Sequence, residues 1–386
     1  MEHAELAAWL RLLLTDGVGS ATARRLLAAF GLPQAIFLQS HAALRQVVRG
    51  RQADALLREP DKLPAQLETT QRWLNSAPEG TQRRILTLGD ALYPPTLLNI
   101  EDPPPLLYAE GRIDALERSG WPPRAIAIVG SRSPTPQGAL NARRFARELG
   151  AAGVCITSGM ALGIDGAAHE GALEACGDTA QGIATIAVLG TGLDICYPRR
   201  HAALAQRIAQ SGLLVSEYPL GTPPAPPNFP RRNRIIAGLA QGTLVVEAAL
   251  RSGSLITARL AAEQGKSVFA VPGSIHSQLS RGAHDLIRQG ACLAESVQDV
   301  LQEMQWEGSA PAPATTPAAP SPAAPEAGND DDALLRALGA DPVSLDALQA
   351  RTGWPTEQLQ VRLLELELAG QLARLPGGLF QRTASA

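Results

Sequence analysis

The chain has 386 residues, of which 45% are hydrophobic and 18% are charged, a composition typical of a globular protein with two or three domains. It has no apolar run of about 18 uncharged residues and does not begin like a signal peptide, so we expect a cytoplasmic protein with no membrane partner. The net charge of -3 disfavours a protein that coats nucleic acid indiscriminately, although nearly all of the positive charge is arginine, which suits phosphate.

Residues 1–75 are predicted to form a small helical, SAM-like domain. Its first two helices, over 5–14 and 20–30, flank the turn Gly17-Val18-Gly19, and Gly31 stops the second helix. This arrangement is typical of a helix-hairpin-helix, whose turn amides bind a phosphate without reading base sequence. An ordinary turn has the same composition, so the motif alone leaves contact with DNA open.

Residues 76–307 alternate short, β-branched apolar runs with amphipathic helical patterns. Apolar strands joined by helices indicate a parallel sheet that is covered on both faces. We therefore predict an α/β domain with a Rossmann-like, doubly wound, mostly parallel sheet. The predicted strands, each bounded by Gly or Pro, lie at 125–130, 154–159, 183–190, 213–218, 243–248 and 267–273.

The C-terminal part is predicted to be a linker followed by a winged helix. Residues 308–329 consist mainly of Ala, Pro, Ser and Thr, which cannot bury enough surface to fold. Residues 330–386 contain three predicted helices, near 331–338, 344–352 and 355–369, and a hairpin around Gly377 and Gly378. Eight acidic residues against five arginines give this domain a net charge of -3, so contact with a protein is at least as consistent with it as contact with DNA.

Small residues stand at the carboxyl ends of the predicted strands, where ligands bind to open α/β sheets. Glycines let the backbone approach a ligand, and N–H groups at the following helix starts accept anionic oxygens. One such turn is equally well explained as a tight βα connection, but four at one edge predict a phosphate site. They are Gly130-Ser131-Arg132, Ser158-Gly159, Gly190-Thr191-Gly192 and the turn that contains Ser252, Gly253 and Ser254.

Motifs of several enzyme classes are absent from the sequence. There is no GxGxxG after the first strand and no GxSxG, while Leu260 stands where a Walker A loop would begin with glycine. The histidines and cysteines lack metal-ligand spacing, so we expect neither a cofactor nor a metal. Asp165 and His169 would share one helical face as an acid–base pair, for which a structural cap is the commoner explanation.

Residues 229–242, FPRRNRIIAGLAQG, combine an aromatic residue with three arginines. An aromatic platform in an electropositive groove holds single strands without sequence preference. We therefore expect residues 231–234 to face a nucleic acid beside Phe229, and three apolar residues at helical spacing to face the core, namely Ile235, Ile236 and Leu239. A core phenylalanine followed by solvated arginines is the alternative interpretation.

Together these segments resemble the DNA-processing protein A family, also called Smf. The resemblance covers about residues 80–305, and the flanking helical domain, linker and winged helix agree with it. The segments that carry it are GSR (130–132), SGMALGIDGAAHEGAL (158–173), VLGTGLDICYPRRH (188–201), SEYPLG (216–221), NFPRRNRIIAGLAQGTLVVEAALRSGSLITARLAAEQG (228–265) and VPG (271–273).

The resemblance implies a non-enzymatic recombination mediator. Such proteins bind single-stranded DNA, commonly as homodimers, protect it and help to load the RecA recombinase during natural transformation. By resemblance, phosphate contacts are expected at Ser131, Arg132, Arg232, Asn233 and Arg234, base stacking at Phe229, and the rest of the pocket at Ser252, Gly253 and Ser254.

Three positions depart from the family pattern, and one alternative function stays open. Gln137, Leu162 and His201 stand where the family often has Tyr, Arg and Asn, which predicts weakened or rerouted contacts there. The alternative is a phosphoribohydrolase-like enzyme of nucleotide metabolism, although AQGTLVVE (240–247) matches the loop PGGxGTxxE poorly and places Glu247 one residue too far along. A scaffold acting through the acidic winged helix is a third possibility.

Overall fold

The computed structural model describes residues 2–176, 182–306, 334–335, 337–338, 342–375 and 378–382. The predicted linker over 308–329, Gly377 and part of the first predicted winged-helix segment lie outside these residues.

The N-terminal domain is helical, as the sequence predicts. Gly17 has a φ of +75° in the turn between the first two helices, and the N–H of Gly31 donates to the carbonyl of Leu27 at 2.8 Å where the second helix ends. After the short helix His41–Arg45, the chain turns before a new helix begins at Gly50. The helices are α1 His3–Leu14, α2 Ser20–Phe30, α3 Pro33–Phe37, α4 His41–Arg45, α5 Gly50–Leu57 and α6 Leu63–Asn75.

The central domain contains a sheet of nine strands in the order β1-β2-β6-β5-β4-β3-β7-β8-β9. Neighbours from β6 to β9 are parallel, whereas β2 pairs antiparallel with both β1 and β6. All six predicted strands are confirmed. The strands are β1 Gln82–Thr87, β2 Leu106–Gly111, β3 Ala125–Val129, β4 Cys155–Ser158, β5 Thr185–Val188, β6 Leu213–Ser216, β7 Gly242–Val245, β8 Ser267–Ala270 and β9 Cys292–Leu293.

Three strands were missing from the prediction, namely β1, β2 and β9. The charges in β1 and β2 hide an apolar pattern, because Arg83 lies opposite Glu110 in the register and donates to its carboxylate at 2.7 Å. The pair neutralises two charges that individually argue against a buried strand.

Helices cover both faces of the sheet. Strand β3 alternates larger and smaller side chains, so that Ile126 and Ile128 pack with the helices Pro136–Ala151 and Ile164–Cys176, while Ala127 packs with the helix Asn228–Leu239. The prediction that Ile235, Ile236 and Leu239 face the core is confirmed. The helices of this domain are α7 Ile113–Ser119, α8 Pro136–Ala151, α9 Ile164–Cys176, α10 Ala202–Ser211, α11 Asn228–Leu239, α12 Ser254–Glu263, α13 Arg281–Arg288 and α14 Val297–Glu303.

The strand order reverses between β3 and β7. From β3 the chain winds outward through β4 and β5 to β6, and it then returns to the other side of β3 to add β7, β8 and β9. The fold is therefore doubly wound, and the crevice outside the carboxyl ends of β3 and β7 is its topological switch point, the usual ligand site of such sheets.

The described part of the C-terminal domain is a winged helix. It consists of β10 Val343–Ser344, α15 Leu345–Thr352, α16 Thr356–Leu368, β11 Leu372–Leu375 and β12 Leu379–Arg382. Strand β12 pairs antiparallel with β10 and with β11, which confirms the predicted hairpin. Leu348, Leu363 and Phe380 lie in its hydrophobic cluster.

Within the described residues, no helix is long and apolar enough to cross a membrane. In the same part of the chain, no three His, Cys, Asp or Glu side chains are placed to hold a metal ion. The four cysteines are free, and burial raises the pKa of the Cys155 thiol, which is therefore protonated at neutral pH.

Candidate nucleic-acid interface

A cavity of about 490 Å³ opens at the switch point between β3 and β7. Three segments wall it: the turn after β3, the first turns of α11, and the loop that leads into α12. Most of the predicted site residues lie here, namely Gly130, Ser131, Arg132, Phe229, Arg232, Asn233, Ser252, Gly253 and Ser254. Ser158, Gly159 and Arg234 do not line it.

The turn after β3 is held in shape by Glu247, which follows β7. Its carboxylate accepts hydrogen bonds from the backbone N–H of Thr135 at 2.9 Å and from the Thr135 hydroxyl at 2.6 Å. That hydroxyl also caps α8 by accepting from the N–H of Gly138 at 3.0 Å. The phosphoribohydrolase-like alternative requires this carboxylate for catalysis, but here it anchors the turn after β3.

Arg132 is the exposed cation of this turn. Its Cζ lies 5.5 Å from the centroid of the Phe229 ring, within the range of a cation–π contact. Across the cavity, the hydroxyls of Ser252 and Ser254 lie 2.7 Å apart, and the Asn233 amide donates to the carbonyl of Gly253 at 3.3 Å. The cavity therefore brings together an arginine, serine hydroxyls and an aromatic ring.

Arg232, a predicted phosphate contact, lines the cavity, but its guanidinium is buried and hydrogen-bonded to backbone carbonyls. The residue is 3% exposed, and Nη1 donates to the carbonyl of Gly159 at 2.5 Å and to that of Val188. A Cβ at Gly159 would overlap the guanidinium, so a side chain there would displace it. Burial lowers the pKa of Arg232 to about 10, although the nearby Asp165 carboxylate opposes this. Arg232 thus fastens α11 to the ends of β4 and β5.

Arg234, a predicted ligand contact, does not line the cavity and is engaged with other residues of the chain. Its guanidinium forms a two-pronged ion pair with Glu217, at 2.6 and 2.7 Å, and its Nε donates to the backbone carbonyl of Asp102 at 2.8 Å. The side chains of Arg234 and Glu217 are only 9% and 6% exposed. Arg234 therefore anchors α11 from the side opposite the cavity.

Ser158 also has a structural role, because its buried hydroxyl donates a hydrogen bond to the carbonyl of Ile128 at 2.6 Å.

Arg231 is half exposed and donates to the hydroxyl of Ser20, the first residue of α2, at 2.8 Å. The predicted helix-hairpin-helix and α11 therefore touch through this contact.

Asp165 and His169 do not form an acid–base pair. Asp165 accepts from the backbone N–H groups of Gly159 at 3.1 Å and Ala161 at 3.3 Å. His169 is fully buried, its Nδ1 lies 2.7 Å from the Thr185 hydroxyl, and burial lowers its pKa to about 3. Both side chains serve the structure, as the commoner explanation held.

Four residues at this edge were missed from the sequence. Tyr197 is 44% exposed, and its ring centroid lies 5.5 Å from that of Phe229 with a tilt of 34° between the planes. Arg199, Arg200 and Arg251 are exposed, and none of their side chains forms a hydrogen bond or ion pair with another residue that the structure describes. The sequence features that could have pointed to these four residues are the aromatic residue beside basic residues in CYPRRH and the arginine directly before SGS.

Comparison with known proteins identifies the family. Residues 84–305 match the model of DNA recombination-mediator protein A, and residues 317–378 match the model of the DprA winged helix domain. The chain belongs to the DNA recombination-mediator protein A family.

Similar proteins include members of this family from several bacteria. Protein Smf of Escherichia coli strain K12 is 43% identical over 333 residues, which cover 85% of this chain and 83% of that protein. DNA processing protein A (DprA) from Streptococcus pneumoniae has a solved structure that is 36% identical, with a TM-score of 0.64, covering 77% of this chain and 97% of that one. The Helicobacter pylori structure, reported for its unique single-stranded DNA binding mode, is 31% identical with a TM-score of 0.50, covering 58% and 96%.

The structure shows the contacts or exposure of the three residues that depart from the family pattern, Gln137, Leu162 and His201. The Gln137 amide donates to Asn141 at 2.8 Å, one turn along α8, and Leu162 is 37% exposed. The His201 ring lies against Gly166, and its Nδ1 is 3.1 Å from the carbonyl of Met160. At His201 the side chain therefore packs against the turn after β4 that bears Met160.

Proposed function

We propose that this chain binds single-stranded DNA without sequence preference at the switch-point cavity and acts as a recombination mediator. The observation that carries the proposal is the grouping of Arg132, the serine hydroxyls and the aromatic ring of Phe229 at one sheet edge. Arginine and hydroxyl groups donate hydrogen bonds to phosphate oxygens, while an aromatic face stacks on any base.

Preference for single strands follows from the exposed aromatic surface. Bases in a duplex are already stacked and paired, so a side chain that stacks on a base favours an unpaired strand. The binding mode reported for the Helicobacter pylori relative supports the same choice. The half-exposed Arg231 extends the basic surface towards α2.

The biological role that we propose is protection of incoming single strands and loading of the RecA recombinase during natural transformation, by a homodimer in the cytoplasm. Family membership supports this role. Sedimentation of the purified chain should give the mass of a dimer, and the chain should accelerate assembly of RecA on strands coated with single-strand-binding protein. The sedimentation mass of a monomer would contradict the homodimer. The absence of any effect on RecA assembly would contradict the loading role.

Replacing Arg132 with alanine is expected to weaken binding of oligothymidylate and to reduce the slope of log K against log salt concentration by about 0.7, the share of one phosphate contact on a single strand. Fluorescence polarisation at a series of salt concentrations measures both quantities. The matched control is Arg147→Ala, an exposed arginine about 16 Å along α8 from the start of that helix.

Two outcomes would count against the proposal. Equal affinity of the native chain for duplex DNA of the same length would remove the preference for single strands. An unchanged salt slope in Arg132→Ala would remove Arg132 from the phosphate contacts.

We also propose that the chain acts without catalysis, because the Glu247 carboxylate is engaged with Thr135. Incubation with nucleoside monophosphates is expected to release no free base above the uncatalysed background. Chromatographic detection of sustained release, lost in Glu247→Gln, would favour the phosphoribohydrolase-like alternative.

A further inference from the structure

The Phe229 ring, the stacking residue expected from the sequence, is already in contact on several sides. A Cβ at Gly190 would lie 2.9 Å from Cδ1 of Phe229, so the ring edge occupies the space that a side chain would fill. The adjacent Asn228 amide donates to the Gly190 carbonyl at 3.1 Å, and the Arg132 guanidinium lies over the ring. Phe229 is therefore held half-buried against the end of β5.

Tyr197 supplies the exposed aromatic surface of this cluster. Its side chain is exposed while its ring lies against Phe229, at a centroid separation and tilt that suit offset stacking. A base inserted between the two rings would need a separation of about 6.8 Å, twice the 3.4 Å stacking distance, which exceeds the observed 5.5 Å. A base therefore stacks on the outer face of Tyr197 without moving either ring.

We propose that Tyr197 is a base-stacking residue of this chain and that Phe229 supports it from beneath. The inference rests on the proposed single-strand binding and adds a contact to it. It also gives the strand a direction. Tyr197 belongs to the loop after β5, and β5 lies two positions from β3 in the sheet. The bound DNA therefore leaves the cavity towards β5 and not towards β8.

The exposed arginines beside Tyr197 agree with this direction. Arg199 and Arg200 follow it directly in the sequence, and both are exposed. When a base lies on Tyr197, the phosphates of the neighbouring nucleotides come within reach of these two side chains, because each nucleotide of the DNA carries one phosphate.

The test compares three substitutions at Tyr197 by fluorescence polarisation with a thymidylate oligomer of about ten nucleotides. Tyr197→Ala is expected to weaken binding by between about fivefold and a hundredfold, the range for removal of one stacking aromatic. Tyr197→Phe keeps the ring and should bind like the native chain, whereas Tyr197→Leu keeps apolar area without a ring and should resemble the alanine variant. Leu38→Ala, an exposed apolar residue of the N-terminal domain, is the control for loss of surface area.

A second measurement uses the native protein and an altered strand. Single abasic sugars placed at successive positions of the same oligomer should weaken binding most where the missing base would lie on Tyr197. At that position, Tyr197→Ala should cause no further loss, because the two changes remove the same contact.

The outcomes separate this inference from the proposed function. Tight binding by the native chain together with undiminished binding by Tyr197→Ala would overturn the inference alone. Weaker binding by Tyr197→Phe than by Tyr197→Leu would also overturn it, because the ring would then not matter. Failure of the native chain to bind any single strand would overturn the proposed function and this inference with it.

Discussion

Replacing Arg234 with alanine is expected to lower the free energy of unfolding by on the order of 3–5 kcal/mol, the usual cost of breaking a buried ion pair from one side. The Glu217 carboxylate would stay buried, at 6% exposure, without its two-pronged partner. The loss at Asp102 adds to this, since Arg234 also donates to that residue. Urea unfolding followed by circular dichroism measures the change.

A double replacement distinguishes the free-energy cost of leaving the Glu217 carboxylate unpaired from the net contribution of the Arg234–Glu217 ion pair to stability. Arg234→Met together with Glu217→Leu leaves no buried charge unpaired and should recover much of the lost stability. Below its unfolding transition, the alanine variant should keep most of its affinity for single strands, unlike Arg132→Ala. Native-like stability combined with lost binding would instead place Arg234 in the DNA contact.

Arg232→Met is expected to destabilise the fold by a similar amount, about 3–5 kcal/mol. The change removes the donor from two strand-end carbonyls and the positive charge beside Asp165, which is 7% exposed. Burial already raises the pKa of Asp165, and the arginine acts against this rise. Without Arg232, the Asp165 pKa should rise further.

The sign of the pH dependence follows from that rise. A carboxyl group whose folded pKa lies above its unfolded pKa contributes its stability below the unfolded pKa and loses it as pH increases through the folded pKa. Arg232→Met should therefore lose more stability relative to the native chain at neutral pH than at mildly acidic pH. Adding Asp165→Asn should remove this extra loss, and equal losses at both pH values would contradict the pairing.

The arginines of α11 show what sequence reasoning can and cannot place. The small residues after β3 and β7 were found because ligands bind at the carboxyl ends of parallel strands, and a cavity lies there. The sequence did not show which of residues 231–234 line the cavity, because they lie inside α11, where four successive side chains span more than one turn of about 3.6 residues. Only part of such a run faces any one side.

The partners of the buried arginines were also beyond the reach of local patterns. Glu217 lies 17 residues before Arg234, and Asp102 lies 132 residues before it. An arginine that binds phosphate and one that binds a distant carboxylate have the same local sequence. Tyr197 was missed for a related reason, since its contact with Phe229 joins two separate loops.

The N-terminal domain shares its packing with the sheet. Leu6 and Trp9 of α1 belong to one hydrophobic cluster with Tyr108 and Met160 of the central domain. Arg24 of α2 pairs with Asp102, the same residue that contacts Arg234. A cleavage near residue 75 would thus uncover apolar side chains on both fragments and remove an ion pair of Asp102, a residue that also contacts α11, so the helical domain contributes to the stability of the sheet domain.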